Sequence, residues 1–190
     1  MHIAFFTNSY LPVINGVVHS VESFRRELSR QGHNVFVFAQ NDHEYKDTEP
    51  FIFRYPSLTL PIQADVPAVI PVSLFVDQLL PTLKLDVIHT HHPILLGQTA
   101  ARKAEEFNLP LIFTFHTQYQ EYIHYIPLPQ EMIGEFLKGA IQAWLRVFMS
   151  KCQHVIIPAE SMKEILEQGD GLRDRCSGIR TGMDLAPYRR

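Results

Sequence analysis

The chain is poor in cysteine, in net charge and in long apolar runs. Cys152 and Cys176 are the two cysteines among 190 residues. Two thiols so far apart build neither a disulfide framework nor a close metal-type pair. Free thiols in a reducing cytoplasm are the expectation. A formal net charge of −3 with 17 basic residues argues against a nucleic-acid binder, which carries a basic excess. No apolar run reaches the length of a membrane span. The opening Met1-His2-Ile3-Ala4-Phe5-Phe6 has neither the basic leader nor the apolar length of a signal peptide. The loop after the first strand holds no G-x-G-x-x-G and no Walker-type G-K-[ST], which weighs against nicotinamide and P-loop nucleotide binding. Internal repeats and low-complexity tracts are absent as well.

What remains is an apolar fraction of 46% and a charged fraction of 19%, the balance of a globular domain with a real core. Strand and helix patterns alternate. His2–Thr7 reads as a first strand, followed by a loop to Gly16 broken by Pro12 and Asn15-Gly16. Gly16–Arg30 reads as a helix with Val17, Val21, Phe24 and Leu28 on one face, stopped by Gly32. Asn34–Ala39 and Phe51–Tyr55 read as strands. Residues 56–71 carry Pro56, Pro61, Pro67 and Pro71, so that stretch is expected to be an extended connection, neither helix nor central strand. Val72–Leu83 reads as helix, Asp86–His89 as strand, Ile94–Phe107 as helix with Pro93 in its first turn and Asn108 as terminator, and Leu111–Phe115 as strand. Gln130–Ser150 reads as a long helix with a wide apolar face holding Phe136, Trp144 and Phe148. His154–Ile157 reads as strand, Glu160–Gln168 as helix and Cys176–Arg180 as a last strand. This order predicts an α/β fold: a doubly wound, Rossmann-like, mostly parallel sheet with helices on both faces.

Ligands in such a sheet bind in the crevice outside the carboxyl ends of the strands. Two stretches fall there, His89-Thr90-His91-His92-Pro93 and Thr114-Phe115-His116-Thr117. His116 ends an otherwise apolar strand, so its imidazole is expected to face the crevice, where it could bond a sugar hydroxyl or steady a developing charge. A histidine merely packed in place is the alternative. His89, His91 and His92 have spacing that zinc hydrolases use, but no acidic partner follows until Glu105. A metal-dependent hydrolase is therefore the second class of function, and a non-catalytic interaction domain the third. Asn15-Gly16 opens the first helix, whose unpaired N–H groups could receive a phosphate; a plain turn is the alternative. The aromatic stretch Gln118–Pro127 suits a wall that meets both sugar and lipid, or a helix edge packed on the sheet. The Gln130–Ser150 helix suits the core, or an anionic bilayer through Lys138, Arg146 and Lys151.

Taken together, the motifs resemble the N-terminal domain of the family 4 retaining glycosyltransferases, which have the two-domain GT-B fold. They are Ile3 to Pro12 with Asn15-Gly16-Val17, His89 to Pro93, Thr114 to Pro127, Val155 to Ser161, and Thr181-Gly182-Met183-Asp184. The His116 to Tyr125 segment is closest to the diacylglycerol glucosyltransferase branch. The resemblance implies one half of a GT-B fold: an acceptor-side domain over residues 1–180, the start of a linker at 181–190, and a donor-binding domain beyond the chain. It implies sugar transfer from a nucleotide diphosphate to a hydroxyl, a lipid such as diacylglycerol included, with retention. This fragment by itself is expected to be inactive. By the same resemblance His116 is the catalytic contact to the transferred sugar. Asn15, Gly16 and Val17 meet the donor diphosphate. Tyr10, His91, His92, Thr117 and Gln118 face the acceptor, and Arg54 is placed with them as a partner for an acidic head group. No metal or cofactor is implied. The donor is UDP-glucose, with GDP-mannose as rival, and the place is the cytoplasm, peripheral at the inner membrane face. The family's second-domain glutamate pair has no counterpart here, since no two glutamates are separated by seven residues. Arg180 stands where relatives often carry proline before the Thr-Gly pair.

Overall fold

The computed structural model describes residues 1–42, 44–60, 63–116, 130–159, 173–180 and 182. The expected helix at Glu160–Gln168, the Gln118–Pro127 wall and nearly all of 181–190 lie outside the described residues.

The elements run β1 (His2–Thr7), α1 (Gly16–Arg30), β2 (Asn34–Gln40), β3 (Ile52–Tyr55), β4 (Ser57–Leu60), β5 (Gln63–Val69), α2 (Leu74–Leu79), β6 (Val87–Thr90), α3 (Leu96–Glu106), β7 (Leu111–Thr114), α4 (Gln130–Ser150), β8 (His154–Ile157) and β9 (Cys176–Gly178). Seven strands form one sheet in the order β3-β2-β1-β6-β7-β8-β9, and every pairing in it is parallel. A parallel strand is covered on both faces, so its side chains are apolar in both directions. β1 and β2 follow that rule: nearly every residue of HIAFFT and NVFVFAQ is buried.

Alternation divides the core in two. Ala4, Phe6, Phe36, Phe38, Ile88 and Phe113 face one side, against α2, α3 and the second half of α4. Ile3, Phe5, Val35, Val37 and Val87 face the other, against Val18 and Val21 of α1. α1 and α3 therefore cover opposite faces of the sheet. Full burial of a phenylalanine such as Phe5, Phe6, Phe38 or Phe113 contributes roughly 1.5–3 kcal/mol each. From α4, Leu145, Phe148 and Met149 are buried in the first core, while Trp144 and Val147 remain partly exposed.

The helix ends follow their capping residues. Asn15 caps α1 through Oδ1 to the Val18 N–H, 2.9 Å. Gly32 closes α1 at φ 87°, with the His33 N–H reaching the Leu28 carbonyl at 3.0 Å. Asn108, at φ 53°, closes α3 as its sequence position suggests.

Three expectations are corrected. Residues 57–60 and 63–69 are extended but paired, as antiparallel β4 and β5 outside the main sheet. A two-stranded sheet is all edge, so Pro67 can sit in it, and the register slips between Leu58 and Leu60 opposite that stretch. The helix expected at 72–83 is shorter, Leu74–Leu79, and tightens to a 3₁₀ turn over Leu80–Leu83 where Pro81 removes a donor. α3 begins at Leu96 rather than Ile94, because Leu95 is held at φ 52°. That leaves Pro93 in the preceding loop.

β1 leads by α1 to β2 on one side, and β6 leads by α3 to β7 on the other. The strand order therefore reverses between β1 and β6, and the crevice that such a reversal opens lies beyond Thr7 and Thr90.

Candidate functional site at the strand reversal

Asn8 bridges the reversal. Its backbone N–H donates to His92 Nδ1 at 3.0 Å, its Nδ2 donates to the Ile94 carbonyl at 3.1 Å, and its Oδ1 accepts the Leu96 N–H at 3.0 Å. One side chain from β1 thus caps α3 and holds the loop that carries His92. Thr90 Oγ1 donates back to the His92 carbonyl at 2.8 Å. α3 comes so close that a Cβ on Gly97 would lie 1.8 Å from the His92 carbonyl oxygen. Only glycine allows that approach.

The histidines of β6 and β7 form a column on the α1 face. His89 and His91 are two apart in one strand, so their rings share a face and stack with centroids 4.3 Å apart. The edge of Phe5 meets both rings at 5.0 Å. His89 Nε2 bonds Thr114 Oγ1 at 2.7 Å, and His91 Nδ1 bonds His116 Nε2 at 3.0 Å. His91 is wholly buried, and among the described residues its Nε2 has no hydrogen-bond partner. His116 is half-buried at the mouth. Burial disfavours the charged rings. It pushes His116 down to about 4, and with the neighbouring His116 it pushes His89 and His92 to about 3. His91 falls well below its ordinary value for the same reason. The column is neutral at pH 7. Among the described residues no three histidine, cysteine or acidic side chains are grouped to hold a metal ion. His89, His91 and His92 each bond a different partner, so the described residues give the hydrolase alternative no support.

The β1–α1 corner is charged instead. The Tyr10 hydroxyl donates to Glu22, which also holds Arg25 Nε at 2.8 Å and Arg26 Nε at 3.2 Å. Burial, and then Glu22, raise the Tyr10 phenol well above its usual value. Burial alone would raise Glu22, but the bonds from Arg25 and Tyr10 outweigh it and hold the carboxylate low. Arg54 donates to the carbonyls of Gln40 and Leu11, both at 2.8 Å, and to Asp47 at 2.5 and 2.9 Å. Its guanidinium lies 5.3 Å from the Tyr10 ring centroid. The structure therefore commits the donors of Tyr10 and Arg54 to internal partners, and both residues brace the loop rather than line an open wall.

Asn15 is engaged too, as the α1 cap and as donor to Ser9 Oγ at 3.0 Å. A Cβ on Gly16 would meet nothing within 4 Å, so neither backbone conformation nor packing demands glycine there. A cleft of about 660 Å³ runs along α1, lined by Ile14, Asn15, His19, Glu22, Arg26 and Gly182 among others. Of the expected site residues among those described it takes in Asn15 alone. Gly16 and His116 share the carboxyl edge and the α1 face of the sheet. They follow β1 and β7 respectively, with β6 between those two strands. Thr117 and Gln118 lie outside the described residues. The sequence reading missed Asn8, Glu22 and Gly97. An asparagine directly after a strand and a glycine in the first turn of a helix were the available signals. Among the described residues no helix is long and apolar enough to cross a membrane.

Comparison with known proteins agrees with this architecture. The family model described as Glycosyltransferase Family 4 matches residues 14–187. The alpha-monoglucosyldiacylglycerol synthase of Streptococcus pneumoniae is 31% identical over 204 residues, covering 100% of this chain and 42% of its own length. The enzyme of the same name from Acholeplasma laidlawii is 28% identical, covering 99% and 48%. A GDP-mannose-dependent alpha-mannosyltransferase of Corynebacterium glutamicum is 26% identical, covering 89% and 41%. The chain thus spans less than half the length of the curated relatives it matches. HepE of Anabaena, solved in complex with UDP-glucose, superposes with a TM-score of 0.61 at 15% identity, over 99% of this chain and 46% of that one.

Proposed function

The chain belongs to glycosyltransferase family 4, and from that premise we propose that it is the acceptor-side half of a retaining GT-B enzyme. The enzyme moves a sugar from a nucleotide diphosphate to the hydroxyl of a diacylglycerol-type lipid. The observation that carries this reading is the end-to-end match at 31% identity to an alpha-monoglucosyldiacylglycerol synthase. Residues 1–180 are the domain, 181–190 open the linker, and a second α/β domain supplies the rest of the donor site. UDP-glucose is the donor, in keeping with that relative's name and with the UDP-glucose held by HepE on the same fold. GDP-mannose is the second reading, on the strength of the mannosyltransferase relatives. The place of action is the cytoplasmic membrane surface, where a nucleotide sugar meets a lipid.

The site geometry suits this chemistry. As the bond to the diphosphate breaks, positive charge gathers on the sugar and negative charge on the leaving group. Gly16 and Val17 open α1 with N–H groups that have no intrahelical partner, and the helix N-terminus favours the departing anion. The bare Cα of Gly16 leaves room for its approach. His116 meets the sugar as a neutral ring, because burial holds it down to about 4. A cation there would repel the developing positive charge. His92, Thr117 and Gln118 are the acceptor contacts of this reading, whereas His91, expected among them, is wholly buried and reaches the site only through its bond to His116.

The test is transfer by the two-domain polypeptide that contains this chain. It is supplied with labelled UDP-glucose and dioleoylglycerol in mixed micelles. The expected product is an α-glucosyl lipid, with the anomeric configuration read by NMR. The 190-residue chain alone is expected to give none. Labelling from GDP-mannose only would exchange the donor. Brisk turnover by the 190-residue chain, or no transfer to any lipid, would overturn the proposal.

A further inference from the structure

We infer that His91 is a positioning residue for His116. It fixes His116 as the Nδ1–H tautomer, so that the ring edge open to the crevice is a hydrogen-bond donor. The inference rests on the glycosyltransferase reading for its chemistry, but the geometry that carries it does not.

A neutral imidazole has one N–H and one bare nitrogen. The 3.0 Å contact between His91 Nδ1 and His116 Nε2 needs one proton between the two atoms. If the proton sits on His116 Nε2, His91 must carry its own on Nε2. That atom is buried without a partner, and it would be an orphaned donor. If the proton sits on His91 Nδ1, the orphaned atom is a lone pair. Buried orphaned N–H groups are rarer than under-satisfied acceptors, so the second arrangement wins. His116 Nε2 then accepts, and its proton must lie on Nδ1. No partner binds that nitrogen among the described residues, and the ring is half-buried at the mouth. His91 is held in register for this by its stack on His89 at 4.3 Å and on His116 at 5.3 Å, and by the Phe5 edge.

A donor at Nδ1 can hold a sugar hydroxyl oxygen, but it cannot take a proton from the acceptor. In the transfer the acceptor oxygen bonds C1, the C1–oxygen bond to phosphate breaks with its electron pair going to the phosphate, and the acceptor's proton goes to a departing phosphate oxygen. His116 orients and screens, and it is not the base.

Two measurements test this. In the 190-residue chain labelled with ¹⁵N-histidine, His116 is expected to show a protonated Nδ1 and a bare Nε2. The opposite pattern in the wild-type spectrum would overturn the inference without any variant. In the two-domain enzyme, His91→Phe keeps a ring and removes the bond. It is expected to lower kcat roughly tenfold or more with donor KM little changed, since a mis-set tautomer acts on turnover. His91→Asn places an amide N–H near the position of Nδ1–H and is expected to recover most of that loss and the tautomer. Equal loss in both variants, or none in His91→Phe, would sink it. His116→Ala separates the two claims. Undiminished transfer there would refute the catalytic reading of His116, whereas lost transfer beside an inert His91→Phe would refute only the positioning.

Discussion

Two buried polar networks stand on the same face of the sheet, and they are built in opposite ways. The column of His89, His91, Thr114 and His116 holds no charge and is packed among aromatic rings. The corner of Tyr10, Glu22, Arg25 and Arg54 is ionic, and its donors end on carboxylates or carbonyls. An ionic network whose donors are committed internally offers a ligand few of them. A neutral column whose mouth holds a ring nitrogen unpaired among the described residues offers one. The contrast sorts the crevice into a brace and a working edge, although the resemblance put all three in the site, His116 as catalytic contact and Tyr10 and Arg54 on the acceptor side.

The largest effect should come from breaking the brace. Glu22→Ala leaves Arg25, whose side chain is 8% exposed, without its main partner. Loss of one member of a buried pair costs about 3–5 kcal/mol. A urea titration of the 190-residue chain should show that loss in full. His116→Ala leaves the buried His91 without its partner and should cost less, about 1–3 kcal/mol, yet reduce kcat of the two-domain enzyme about 10²- to 10³-fold, as removal of one preorganised donor does. If the two variants exchange effects, the division into brace and working edge is wrong.

Acid should separate the networks next. A buried neutral histidine stabilises fully above its unfolded value near 6.5, and that stability is lost as pH falls toward the folded value. With folded values of about 3 for His89 and His92 and about 4 for His116, the loss begins below 6.5. Each ring contributes at most about 1.4 kcal/mol per pH unit. Glu22 is held low, so its contribution persists down to the unfolded carboxylate value of 4.5 and declines only below it. Denaturation midpoints should therefore fall between pH 6.5 and 5, before any carboxylate takes part. His89→Phe should flatten that slope. A flat profile over this interval would mean that the column is not neutral and dry.

Gly97→Ala should come third. Its Cβ would clash with the His92 carbonyl, and relief requires α3 or the loop to move. Overpacking of this kind costs typically about 1–3 kcal/mol. Because Asn8 ties the same loop to β1, a Tm fall should come with a raised KM for acceptor. A Tm fall alone would show that the loop carries no acceptor contact.

These cases also show what the residues disclosed on their own. The parallel sheet was legible because buried strands such as His2–Thr7 and His154–Ile157 are short apolar runs, and α1 because Asn15 and Gly32 punctuate it. His116 was legible as a polar residue closing an apolar strand. The pairing of 57–60 with 63–69 was not, since the prolines in and around it hide a pairing that only an edge permits. Glu22 drew no notice, since its spacing to Arg25 is that of an ordinary helix pair, and only the fold brings Tyr10 onto it. Arg54 was placed against an acidic head group because its actual partners, Asp47 and the carbonyls of Gln40 and Leu11, are set by the fold. Asn8 and Gly97 act across 88 and five residues of chain respectively, on partners that the topology alone brings near.

The smallest effect is the sharpest for the other end of the edge. Asn15→Ala removes the α1 cap and should cost about 1 kcal/mol, or a few degrees in Tm. Asn15→Asp keeps an acceptor for the Val18 N–H and adds negative charge beside the helix N-terminus, so Tm should hold or rise slightly. The same charge faces whatever anion the first turn of α1 receives. If that anion is the donor diphosphate, Asn15→Asp should raise the KM for UDP-glucose severalfold while leaving the fold as stable as before. Opposite signs for stability and donor binding cannot come from a helix cap alone. An unchanged KM would leave Asn15 a cap, move the diphosphate off α1, and make the histidine column the one working part of this edge.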